Sequence, residues 1–134
     1  MGAQGSRTSK AGLTLDAGAL IAIERGDGRL IAILAEAAKR RLPVRVPTGI
    51  LGQAWRGGAR QALLARFLRV REVELHPLDE ATARAAGELC GAVGATDVID
   101  ASVVIAARPT RDTVLTSNPG DLRRFDATLR VVRV

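Results

Sequence analysis

Three aspartates carry the chemistry this sequence offers. Asp16 closes the short apolar run Leu13-Thr14-Leu15, and Asp97 and Asp100 stand three residues apart. On a helix that spacing puts both carboxylates on one face, in a first turn where the dipole favours negative charge. An uncharged stretch, Ala101 to Ala107, follows Asp100. A carboxylate embedded in so apolar a helix needs a cation, a metal ion or hydrogen-bond donors. Together with Asp16 it makes the oxygen-rich cluster that Mg²⁺ or Mn²⁺ prefers. Such ions orient a water, lower its pKa and neutralise charge developing at phosphorus in phosphodiester hydrolysis. For Asp97, next to Thr96, an ordinary first-turn acid is the competing reading. Thr48 to Trp55 and Thr116 to Asp121 are two further polar clusters at the ends of apolar runs. All four segments are expected to converge on one acidic pocket.

Short strands alternating with helices must place these groups. The pattern predicts strands at Leu13-Thr14-Leu15, Val44-Arg45-Val46, Val73-Glu74-Leu75, Val114-Leu115 and Leu129 to Val132. Helices are predicted over Ala17 to Glu24, Arg29 to Arg41, Gly49 to Trp55 with Thr48 as cap, and Arg60 to Arg69. Three more follow: Asp79 to Val93, Asp97 to Arg108 with Thr96 as cap, and a short one from Pro119 to Arg124. This alternation implies a three-layer α/β/α sandwich with a mainly parallel central sheet. Ligand sites in such sheets lie beyond the carboxyl ends of the strands, where the strand order reverses. The ends of the first and fourth strands, Asp16 and Thr116-Ser117-Asn118, are expected to be neighbours there.

The 134 residues suggest one domain, 13–134, preceded by a small, polar leader over 1–12 with nothing to bury. The single Cys90 reads as a buried apolar residue, which excludes a disulfide framework and agrees with a reducing compartment. With no long uncharged apolar run, a soluble cytoplasmic protein is expected. Net charge is +6, and 18 of the 20 basic residues are arginine, a side chain suited to bidentate phosphate and carboxylate contacts. RNA, DNA or an acidic protein segment is the implied partner, although an arginine- and alanine-rich composition also arises from genomic base bias. His76 is the only histidine, so a histidine-rich zinc site is excluded, and no phosphate-binding GxxxxGK[ST] loop is present. Trp55 and Phe67 read as helix-packing residues, and an apolar patch around Ile21 and Leu30 to Leu34 as core or as a docking surface. Arg56 and Arg60 are the candidate phosphate contacts.

The chain resembles PIN domains, and more closely the VapC-type ribonuclease toxins of bacterial toxin–antitoxin pairs. The resemblance spans about Leu13 to Val134. It rests on Leu15-Asp16-Ala17-Gly18-Ala19-Leu20-Ile21-Ala22, on Val46-Pro47 with a helix reaching Trp55-Arg56-Gly57-Gly58, on Asp97-Val98-Ile99-Asp100-Ala101, and on Val114-Leu115-Thr116-Ser117-Asn118. It implies three or four acids holding Mg²⁺ or Mn²⁺, endonucleolytic RNA cleavage, a homodimer and a cognate antitoxin. Carried over by motif, Asp16 is the first acid and Asp100 the third, with Asp97 beside them. The fourth position falls on Asn118, with Asp121 near enough to compensate, and the second on Gln53. An amide keeps one acceptor oxygen and loses the charge and the general-base capacity. A weakened site is therefore expected, with Glu24 a possible substitute. Two alternatives stand beside the nuclease: a non-catalytic PIN-like domain that binds RNA or a partner, and another metal-dependent α/β hydrolase such as a phosphatase.

Overall fold

A computed structural model describes residues 10–134. Five parallel strands form one sheet in the order β3-β2-β1-β4-β5: β1 Leu13–Leu15, β2 Val44–Pro47, β3 Val73–His76, β4 Thr113–Thr116 and β5 Arg130–Arg133. All four pairings are parallel, with Leu15 opposite Leu115 and Val46 opposite Leu75. The chain builds outward from the centre through β2 to β3, then returns to the other side of β1 for β4 and β5. The strand order thus reverses between β1 and β4, which opens the crevice above their carboxyl ends.

Seven α-helices cover the sheet: α1 Ala17–Glu24, α2 Gly28–Lys39, α3 Thr48–Ala54, α4 Ala62–Phe67, α5 Glu80–Val93, α6 Val98–Ala107 and α7 Pro119–Arg123. Helix α6 lies directly on β1, β2 and β4 and is itself covered by α5, while α1 carries α2, α3 and α4. Ala101, Val103, Val104 and Ala107 are buried, as an apolar helix between two layers must be. The core joins them to Leu15, Leu20, Leu30, Val46, Ile50, Leu64, Leu115 and Leu122. Gly94, in the left-handed region at φ 72°, ends α5.

Several expected boundaries and caps differ. Asp97 itself caps α6, accepting from the Asp100 amide at 2.9 Å, so Thr96 is not the cap. Nor does Thr48 cap α3: it is the first helical residue, and its Oγ1 accepts from the Leu78 amide at 3.0 Å. The segment expected as one helix from Arg60 to Arg69 divides into a 3₁₀ turn, Ala59–Gln61, and the shorter α4. The last strand starts one residue later than expected.

Arg45 departs most from its alternating sequence context. All four residues of β2 are buried, and Arg45 is 5% exposed. Its guanidinium meets Asp112 at 2.8 Å and Glu74 at 3.4 Å, while Asp112 also accepts from Thr14 Oγ1, Thr110 Oγ1 and the Gly12 amide. This network clamps the amino ends of the central strands, opposite the crevice. Of the leader expected at 1–12, residues 1–9 lie outside the described residues. Gly12 belongs to the clamp, and the Lys10 carbonyl accepts from Arg45. No single helix among the described residues is long and apolar enough to cross a membrane.

Candidate active site

Asp16 leaves β1 with extended backbone and caps α1 with its own side chain, Oδ1 accepting from the Ala17 amide at 2.7 Å. Its other oxygen, Oδ2, accepts from Thr116 Oγ1 at 2.7 Å, across the β1–β4 seam. Parallel pairing of Leu15 with Leu115 makes that contact, since the two residues that follow leave neighbouring strands side by side. The carboxylate is 7% exposed and held at both oxygens. Thr116 extends the arrangement, because its Oγ1 also accepts from the Asn118 amide at 3.0 Å.

Helix α6 enters the crevice from the other side with Asp100 half-buried in its first turn. The Asp100 carboxyl is pushed up to about 7 from its ordinary value near 3.8. Burial is the largest cause, followed by the negative charges of Asp97, Asp16 and Asp121. The charges of carboxylates from three separate chain segments therefore act together on Asp100. The Asn118 Nδ2 donates to Asp121 Oδ2 at 2.8 Å and so aims that carboxylate.

Close packing joins the first turn of α1 to the loop after β4. A Cβ added at Gly18 would stand 2.6 Å from Ser117 Cβ and 3.0 Å from the Ser117 amide nitrogen. Only glycine at this position lets the first turn of α1 rest against the loop after β4.

Gln53 and Glu24 line a common groove. Gln53 is exposed on α3 and lines a groove of about 500 Å³ with Ile21, Glu24, Arg25, Arg56 and Arg60. Glu24 accepts from Gln61 Nε2 at 2.9 Å there and is not among the acids acting on Asp100. Gln61, which sequence reasoning passed over, is 3% exposed; its neighbours Arg60 and Ala62 are both exposed, and nothing local marks it as a buried hub. Phe67 packs against the core as expected, but Trp55 does not: it is 40% exposed.

The donors around the crevice are carboxylate, amide and hydroxyl oxygens, a set that fits Mg²⁺ or Mn²⁺ and no softer ion. Among the described residues no three Asp, Glu, His or Cys side chains are gathered into a ready ligand set. A cation here would accordingly keep several of its waters, as Mg²⁺ commonly does.

No family model matches the sequence, and no curated protein matches it. Among solved structures the chain is similar to one from the crystal structure of VapBC2 of Rickettsia felis bound to a DNA fragment from their promoter. The TM-score is 0.67 at 17% identity, over 91% of this chain and 98% of that one. Agreement over nearly the full length of both chains at so low an identity is agreement of backbone. The chain has the PIN-like α/β/α fold of this toxin–antitoxin structure.

Proposed function

We propose that the chain is the toxin of a type II toxin–antitoxin pair, a metal-dependent endoribonuclease that hydrolyses RNA phosphodiester bonds. The crowding of Asp97, Asp16 and Asp121 around the half-buried Asp100 carries this reading. Like charges held near one another at a strand-end crevice cost stability unless a cation joins them. Asp16, Asp97, Asp100 and Asp121 would hold the ion, with Asn118 fixing Asp121. Bound there, Mg²⁺ or Mn²⁺ would supply an activated water and neutralise charge developing at phosphorus. The chain's own part is orientation. Thr116 and the Ala17 amide hold both Asp16 oxygens, and the Asp97 cap fixes the first turn that presents Asp100.

A protein partner belongs to the same reading, since the similar structure is a VapBC complex. An apolar groove between α1, α2 and α4, lined by Ile23, Ile31, Leu34, Leu63, Phe67 and Val70, is the surface we assign to the antitoxin. Homodimerisation and a cytoplasmic setting complete the assignment.

Asp16→Asn should abolish both RNA cleavage and toxicity, and the wild-type chain should cleave in Mg²⁺ or Mn²⁺ and fall silent in EDTA. Toxicity retained by Asp16→Asn would sink the reading. A second reading, a PIN-like domain that binds RNA or a partner without cutting it, is favoured by the uncharged Gln53 and by the ungathered ligand set. RNA binding indifferent to EDTA, with no cleavage, would select it.

A further inference from the structure

The groove beside the acidic pocket is organised by one buried amide. Gln61 Nε2 donates to Glu24 Oε1 at 2.9 Å and to the Ala54 carbonyl at 2.8 Å. Its Oε1 accepts from the amides of Arg56 at 2.7 Å and Gly57 at 2.8 Å. Every hydrogen-bonding group of the side chain is used, so the end of α1 and the turn after α3 are tied to one point. Gly57 and Gly58 have φ of 78° and 88°, a conformation that glycine adopts without strain. Trp55-Arg56-Gly57-Gly58 is thus a built turn.

That turn sets the Trp55 indole next to Gly57, which lines the groove together with Arg56 and Arg60. Trp55 is 40% exposed and lies against Gly57, where an added Cβ would be 3.9 Å from the indole nitrogen. Arg56 donates to the Trp55 carbonyl at 2.7 Å, which keeps its guanidinium at the same residue. Arg25 and Arg60 line the groove with no side-chain partner among the described residues. Three guanidiniums outweigh the single Glu24 carboxylate, which Gln61 already engages. An exposed aromatic at the rim of a groove lined by arginines is a combination that can hold a single-stranded nucleic acid, the base stacking and the phosphates pairing. An acidic peptide would use the arginines but gain little from the indole.

We propose that Trp55, Arg56 and Arg60 form a subsite for one unpaired nucleotide of an RNA strand, with Gln61 as the positioning residue beneath them. The subsite rests on the reading of the adjacent pocket as an RNA-cleaving site. Helix α1 links the two, since Asp16 caps it and Ile21 and Glu24 line the groove. At 1.5 Å per residue those positions lie roughly 8 to 12 Å apart along the axis, so one strand can occupy both.

Trp55 is the only tryptophan and the chain has no tyrosine, so its emission reports this subsite directly. The full-length Asp16→Asn chain, in EDTA, would be titrated with a short unstructured oligoadenylate. Saturating quenching is expected over the same concentrations as binding measured by anisotropy of a labelled copy. Introduced into the same background, Trp55→Phe should bind within about threefold of it, whereas Trp55→Leu and Arg60→Ala should weaken binding about tenfold or more. In cleavage assays of the otherwise wild-type chain, Gln61→Ala and Trp55→Leu should raise KM while kcat stays within about threefold, a split that loss of fold would not produce. No binding, binding without a change in emission, equal affinity of Trp55→Leu, or quenching by oligoglutamate but not by RNA would each overturn the subsite. Quenching without cleavage by the wild-type chain in Mg²⁺ or Mn²⁺ would overturn the nuclease reading and leave the subsite standing.

Discussion

Asp100 shows how much one residue's environment decides. Its carboxyl titrates near 7 in the folded chain against about 3.8 for an exposed aspartate. The folded state therefore holds a proton that the unfolded state has released between those values, and stability falls as pH rises through that window. Asp100→Asn should remove this penalty. In EDTA at pH 8 it should stabilise the protein by about 1 to 2 kcal/mol, once solvent screening of a half-buried group is allowed for. It should leave stability near pH 4 almost unchanged. Thermal melts at the two pH values check both statements. Asn118 provides the complementary change, because its amide donates to Asp121. Asn118→Asp would replace that hydrogen bond with a further like charge, lowering stability in EDTA. It should raise Mg²⁺ or Mn²⁺ affinity by about tenfold, through ligand charge count, in calorimetric titration.

At the scale of elements, the site depends on three segments meeting above β1 and β4. The parallel register sets Asp16 beside Thr116, the Asp97 cap sets the first turn of α6, and Gly18 lets α1 close on the loop at Ser117. Gly18→Ala gains helix propensity, so any net loss of stability comes from the close approach. It should cost about 1 to 3 kcal/mol from overpacking and weaken cation binding, because the loop carrying Asn118 and Asp121 must shift. Denaturant unfolding and a Mn²⁺ titration of the same variant separate these effects. A gain in stability would show that the Ser117 loop yields freely.

For the whole molecule, the two ends of the sheet divide the work. Acids repel one another above the carboxyl ends, while the Arg45–Asp112 network holds the amino ends together. Breaking a buried pair leaves a charge without its partner. Asp112→Ala should accordingly destabilise the fold by about 3 to 5 kcal/mol, measured by denaturant unfolding. The residual folded protein should bind Mn²⁺ as the wild type does, since the network touches none of the pocket residues.

Much of this was legible in the order of residues. The alternation of apolar runs with helical periods specified the strands, the layers and the parallel sheet, because periods of 2 and 3.6 are local properties of the chain. The i, i+3 spacing of Asp97 and Asp100 brought both to the start of one helix for the same reason, Asp97 as its cap and Asp100 in its first turn. Tertiary structure alone decided whether a polar residue is buried, since that depends on partners distant in sequence. Arg45 reads as the outward residue of an alternating strand and is buried because Asp112, 67 residues away, meets it. Nothing local marks Gln61, and it is a buried hub because Glu24 comes to it from α1. Trp55 reads as core and stays exposed because two glycines turn the chain away from the helix that precedes them. Sequence determined which groups could do chemistry and which elements carry them. Burial, partner choice and the approach of Asp16 and Asp121 toward Asp100 were settled only when distant segments packed.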